Sequence, residues 1–158
     1  MNVLLMLLMM AGDPATCPMH KEHTANAVDQ RGDRVMGFSH ETTKHTFRLL
    51  DDGGAVEVRA NSADDAKNID AIRTHLKEIA GDFKAGNFTK PEEIHAGMPP
   101  GVDVMTKLGD AIEYRYEELE RGARVHIITK DKRGIDAVHA FLRFQISDHR
   151  TGDSAHVH

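Results

Sequence analysis

The sequence predicts an α+β fold: a duplicated β-β-α unit forming a four-stranded antiparallel sheet with two long helices on one face. Three observations predict it. Apolar runs of period two come in pairs around turn sequences. Each pair is followed by an apolar stripe of helical period. The two helical stretches also match, Ile69-Asp70-Ala71-Ile72 against Ile135-Asp136-Ala137-Val138 and Leu76 against Leu142.

In the first unit His45, Phe47 and Leu49 alternate with Thr46, Arg48 and Leu50, the pattern of a strand with one buried face. Asp51-Asp52-Gly53-Gly54 supplies a hairpin turn, because glycine reaches positive φ without steric cost. Val56, Val58 and Ala60 return as the second strand. Ser62 or Asp64 then caps a helix whose Ile69, Ile72, Leu76, Ile79, Ala80 and Phe83 share one face. In the second unit Ile112, Tyr114 and Tyr116 alternate, Arg121-Gly122 turns the chain, and Val125, Ile127 and Thr129 return. Ile135, Val138, Phe141, Leu142 and Ile146 mark the second long helix. Each helix is expected to cover the apolar face of the hairpin that precedes it. Between the units, residues 87–108 form a long connector. Thr89 and Pro91 start a short helix there and Pro99-Pro100-Gly101 breaks it. Connectors of this length often carry function.

The apolar run Val3 to Ala11 has the length of a signal-peptide core and falls short of the about 20 apolar residues that span a bilayer. Residues 1–16 therefore read as an export leader, although no Lys or Arg precedes the run. Residues 17–33 read as a flexible segment rich in metal ligands, 34–150 as a single domain, and 151–158 as a disordered tail. The implied location is periplasmic or secreted, without a membrane span. A net charge of −5 argues against nucleic acid as a partner. A single cysteine leaves no intramolecular disulfide, so packing must hold the fold.

The chemistry-bearing residues are concentrated in Cys17-Pro18-Met19-His20-Lys21-Glu22-His23. Cys17 and Met19 favour Cu(I), Cys17 with the histidines suits Zn(II), and His20 with His23 alone would hold Cu(II) or Ni(II) weakly. The competing readings of this packet are a linker with unused side chains and lipid attachment at Cys17. A second set is dispersed among the eleven histidines. His40 and His45 bracket the start of the first strand, His75 borders the apolar face of the first long helix, and His95 and Met98 lie on the connector. The sharpest expectation is that His40, His75 and His95 converge on one site, with His45 or Met98 as a further ligand. His75 and His139 each have a plainer reading as core-edge histidines bonded to a backbone carbonyl.

Cys17-Pro18-Met19-His20 resembles the opening of small heavy-metal-binding modules of bacterial efflux proteins, departing from their pattern at Lys21, where those modules usually carry proline. Met36-Gly37-Phe38-Ser39-His40, Phe47-Arg48-Leu49-Leu50, Pro99-Pro100-Gly101-Val102 and Phe141-Leu142-Arg143-Phe144-Gln145-Ile146 resemble a family of uncharacterised exported bacterial proteins. That resemblance implies export and brings no established activity. No phosphate loop, nucleophile elbow or His-Glu-x-x-His helix is present in the sequence, and catalysis is the weaker expectation. The functional expectation is a secreted or periplasmic copper- or zinc-binding carrier, buffer or sensor. The alternatives are a small-molecule or haem-binding α+β module, or a non-catalytic interaction domain.

Overall fold

The computed structural model describes residues 18–158, with side chains from residue 27 onward. The expected leader and Cys17 lie outside the described residues. The chain runs α1 (Pro18–Met36), β1 (Thr43–Leu50), β2 (Gly53–Ala60), α2 (Ala66–Lys84), α3 (Thr89–His95), α4 (Val102–Leu108), β3 (Ile112–Leu119), β4 (Gly122–Thr129) and α5 (Lys132–Asp148). A single 3-10 turn, Gly109–Ala111, leads into β3. The fold is α+β, with one four-stranded antiparallel sheet in the order β1-β2-β4-β3. The element order β-β-α occurs twice, separated by the two short connector helices.

Register assigns the strand side chains to two faces. Phe47 opposes Val56, Val56 opposes Val125, and Val125 opposes Tyr116, so these four form a row across one face. Leu49, Val58, Ala123, Val125 and Ile127 on that face are buried. The other face carries charge. Glu57 is held by Arg59 and Arg124, Arg124 reaches Glu117 at 3.4 Å, and His126 reaches the same carboxylate at 3.1 Å.

The helices cover the sheet crosswise. α2 lies chiefly against β3 and β4, and α5 chiefly against β1 and β2, so each helix packs on the hairpin of the other unit. This corrects the expectation that a helix covers its own hairpin. One close approach fixes the placement of α5. A Cβ on Gly54 would sit 2.2 Å from Leu142 Cδ1 and 2.5 Å from Arg48 O, so only glycine lets Leu142 descend onto β2. The α2 start is also shifted by one residue: Asp65 is the N-cap, its carboxylate accepting from Asn68 N at 3.2 Å, rather than Ser62 or Asp64. Asp131 caps α5 in the same manner, accepting from Arg133 N at 2.9 Å.

Two flanking segments differ from expectation. Where a flexible stretch was expected over 17–33, residues 18–36 are helical. The reason is a narrow buried stripe, Val28, Gly32 and Met36, recurring every fourth residue and packed largely on α3. The expected disordered tail at 151–158 instead lies along the outer edge of β1. Asp153 accepts from Phe47 N at 2.9 Å, and His158 N donates to Leu49 O at 3.0 Å. The tail thereby satisfies backbone groups that an edge strand leaves open. No helix among the described residues is long and apolar enough to cross a membrane.

Candidate functional site

A cavity of about 60 Å³ lies between the apolar sheet face and the helices. Its floor is His45 and Phe47 of β1 and Val56 and Val58 of β2. Its walls come from α2 (His75, Leu76, Ile79, Phe83) and from Phe141, Gln145 and His149 at the C-terminal end of α5. Met36 of α1 and Pro91, Ile94 and His95 of α3 form the roof. The surroundings are apolar apart from four imidazoles and one amide.

The roof is tied down by polar contacts. Arg31 Nε donates to Ile94 O at 2.7 Å, joining α1 to α3. Arg150 pairs with Asp29 at 2.6 Å, joining the end of α5 to α1. Lys90 of α3 pairs with Asp82 at 2.7 Å and Glu78 at 3.2 Å on α2. His95 binds Asp148 through Nδ1 and Gln145 Oε1 through Nε2, the latter at 2.9 Å, which anchors α3 on α5.

The imidazoles form a chain of ring contacts. His45 and His149 are nearly parallel, with centroids 5.5 Å apart, and His95 meets His149 edge-on at 5.1 Å. Phe38 sits between His45 at 6.0 Å and His75 at 5.7 Å. Desolvation lowers His45 and His75 to about 4 and His149 to about 3, with neighbouring basic groups adding to the effect. For His75 the second cause is Lys90; for His45 and His149 it is another imidazole of the cluster. All three are therefore neutral near pH 7. Among the described residues no hydrogen bond engages their ring nitrogens.

Of the expected convergent set, His75 and His95 line this cavity and His45 joins them. His40 does not: it is exposed, with Nδ1 3.0 Å from Asp33 Oδ1, in a shallow surface vestibule on the outer side of His45 and His149. Met98 is 52% exposed and takes no part. Positions 19, 20 and 23 fall on the first turns of α1, and their side chains lie outside the described residues. His139 is the core-edge histidine, its Nε2 2.8 Å from Leu50 O, whereas His75 has no such partner among the described residues.

Sequence reasoning missed His149 and Gln145. Their signal was present. His149 follows Leu142 by seven positions and Ile146 by three, and Gln145 follows Phe141 by four, so both continue the buried stripe of α5.

Fit to a metal is partial. Ring centroids of two imidazoles bonded to one metal lie roughly 5 Å apart, given bonds of about 2.0–2.1 Å, and both histidine pairs meet that spacing. Yet no three His, Cys, Asp or Glu side chains among the described residues are grouped so as to hold a metal ion. His95 already spends both nitrogens on protein partners. Comparisons with family profiles, with curated proteins and with solved structures find no match to this chain.

Proposed function

We propose that the protein is a non-catalytic binding module that takes a small, mainly apolar molecule into the cavity under α1 and α3. The observation that carries this reading is the composition of the cavity surroundings: apolar side chains from six elements, with the polar groups confined to four imidazoles and the Gln145 amide. Such surroundings bind by desolvation and orient by a few directed hydrogen bonds. Size limits the ligand. A volume near 60 Å³ holds a molecule of a few non-hydrogen atoms, against about 300–1,000 Å³ for drug-sized ligands. A haem would need the roof displaced.

A second reading, a copper or zinc carrier, buffer or sensor, is favoured by one specific observation. His45, His75 and His149 are neutral imidazoles without hydrogen-bond partners among the described residues, which is the ligating form of histidine. In this reading the rings rotate towards a shared ion, and Met36 offers a thioether to Cu(I).

Titration separates the two. Purified protein is titrated with small organic probes, Zn(II), Cu(II), Cu(I) and haemin, following the methyl resonances of Met36, Leu76 and Ile79. The first reading expects saturable shifts with organic probes. The second expects metal binding that falls by at least tenfold when both His45 and His149 become Ala. Failure of every organic probe to shift the cavity methyls overturns the first reading.

A further inference from the structure

We infer that the charged face of the sheet carries a second binding site, a recess that takes a phosphate group between Lys44, Arg59 and Arg121. It lies on the opposite sheet face from the imidazole cavity and does not depend on what that cavity binds.

Strand register brings the cations together. Lys44 of β1 and Arg59 of β2 are direct partners, so two cations stand side by side. Like charges directly opposite each other destabilise an antiparallel pair. The next residue in that row, opposite Arg59 on β4, is Gly122, which has no side chain. Arg121, in the β3–β4 turn beside it, supplies a third cation. Its carbonyl accepts from Ala60 N at 2.8 Å and its Nη1 donates to Asn61 O at 3.0 Å, which fixes the turn against the end of β2. Lys44, Thr46, Arg59, Ala60, Asn61 and Arg121 enclose a recess of about 250 Å³, and no Asp or Glu lines it.

The donors are oriented as well as grouped. Arg59 donates through Nε to Glu57, whose side chain is 8% exposed and is also held by Arg124 at 2.6 Å. Glu57 thus positions Arg59 while its own charge is shared with a second guanidinium. Among the described residues the terminal nitrogens of Arg59 and the Nε and Nη2 of Arg121 have no acceptor, and Lys44 forms no ion pair. Paired guanidinium nitrogens suit bidentate contacts with phosphate oxygens. Thr46 adds a hydroxyl to the lining. Three cations from two strands and a turn match a tetrahedral dianion whose oxygens point several ways. A carboxylate offers two oxygens in one plane and a single charge. The ligand is therefore a phosphate group, as the free ion or as a phosphomonoester.

The test titrates purified protein with inorganic phosphate, methyl phosphate and acetate, following the Ala60 and Asn61 amide resonances. Ionic strength is held constant, so that general screening does not contribute. Inorganic phosphate is expected to saturate and acetate is not. Lys44→Gln and Arg121→Gln should each weaken phosphate about tenfold, the worth of one charge-assisted hydrogen bond. Lys77→Gln, at an exposed position of α2, should leave it unchanged. Thermal unfolding gives a second readout. Without phosphate, Lys44→Gln should melt no lower than the wild type, because it relieves the like-charge pair; phosphate should then raise the wild type more than the variant. Binding of methyl phosphate assigns the site to phosphomonoesters and its exclusion assigns it to the free ion, and either supports a phosphate site. Absence of a saturable phosphate shift at Ala60 and Asn61 overturns the inference. So does acetate binding as tightly as phosphate, phosphate affinity unchanged in both recess variants, an equal loss in Lys77→Gln, or a lower melting point of ligand-free Lys44→Gln.

Discussion

The two ends of the sheet's apolar face are built on matched helix positions and are finished differently. By the spacing that matches Ile69 with Ile135 and Leu76 with Leu142, Ile79 and Phe83 of α2 correspond to Gln145 and His149 of α5. At the α2 end Phe83 stacks on Phe88 at 4.3 Å and meets Tyr114 at 5.8 Å and Phe141 at 5.9 Å edge-on. Aromatic rings close that end. Ile79 and Phe83 also reach the wall of the cavity, but at the α5 end the corresponding positions are polar, and they meet His45, Phe47 and His95 on its other side. The difference teaches where this molecule keeps stability and where it gives stability up. Four aromatic rings fill one end, while the other sets four buried or half-buried imidazoles around open space. Buried polar groups that do nothing for folding are the expected signature of a site.

Truncation at the two corresponding positions gives the largest contrast. Phe83→Ala should destabilise the protein by about 3–5 kcal/mol, since it removes the ring at the centre of the aromatic cluster. His149→Ala should change stability by within about 1 kcal/mol, because the lost ring contacts are offset by relief of a buried imidazole. Leu76→Ala and Leu142→Ala serve as the matched pair in which both ends are alike. Both residues are buried in the core, and each should cost about 2–5 kcal/mol. Urea denaturation of the four variants checks this. Equal losses for Phe83→Ala and His149→Ala would break the comparison, placing the histidine end in the load of the core.

Acid sharpens the same contrast. His45, His75 and His149 are held below the ordinary histidine range, at about 4, 4 and 3. Above pH 6.5 the imidazoles are neutral in both folded and unfolded chains and impose no penalty. As pH falls below 6.5 the unfolded chain takes up protons that the folded chain refuses, so stability drops. The loss continues until the folded groups themselves titrate near 4 to 3. Each imidazole should contribute about 1–3 kcal/mol over this window, discounted for their partial exposure to the vestibule. Denaturation midpoints measured between pH 7.5 and 4 check the sign. His149→Phe, which places at this end the residue type found at the other, should flatten the decline. An unchanged slope in that variant would show that carboxylates, not the imidazole cluster, govern acid sensitivity.

Most of the fold was legible in the sequence, because period-two and period-3.6 patterns report burial directly. Phe47, Val58, Val125 and Ile127 fall where alternation put them, and Ile72, Leu76 and Leu142 where the helical stripe put them. The crosswise covering was not legible. Both hairpins present similar apolar faces, and only the contact of Leu142 with Gly54 shows which one α5 takes. α1 escaped notice because, among the described side chains, its buried stripe contains only Val28, Gly32 and Met36, too little apolar content to register as periodicity. The tail escaped because its anchors, Phe47 N and Leu49 O, are backbone groups of an edge strand, and the sequence does not say which strand is at an edge. The site was half legible. His45, His75 and His95 could be nominated as histidines near element boundaries, yet His40 had the same credentials and is bound to Asp33 outside. His149 continues the α5 stripe, but its polar neighbours at the helix end conceal it. Residue type alone cannot separate a cavity histidine from a surface one; the registry of its helix can.

The smallest expected effect lies at the closed end. Tyr114 Oη is buried and has no hydrogen-bond partner among the described residues, and burial pushes its phenol well above the usual tyrosine range. The ring belongs to the aromatic cluster through Phe83, so the hydroxyl is the only part of the side chain that opposes its own position. Tyr114→Phe keeps the ring contacts and deletes the unsatisfied oxygen. It should therefore stabilise the protein by about 1 kcal/mol, the desolvation penalty recovered. For a chain of this size that corresponds to a rise of roughly 2–4 °C in Tm. Tyr116→Phe is the control. Tyr116 lies two residues along the same strand, is only partly buried, and has Glu118 nearby, so removing its hydroxyl should bring no gain. A stabilised Tyr114→Phe marks the aromatic end as a dry plug, in contrast to the cavity at the histidine end. A loss of 1 kcal/mol or more would mean that the hydroxyl is satisfied by a buried water, and that both ends of the sheet hold space for something other than side chains.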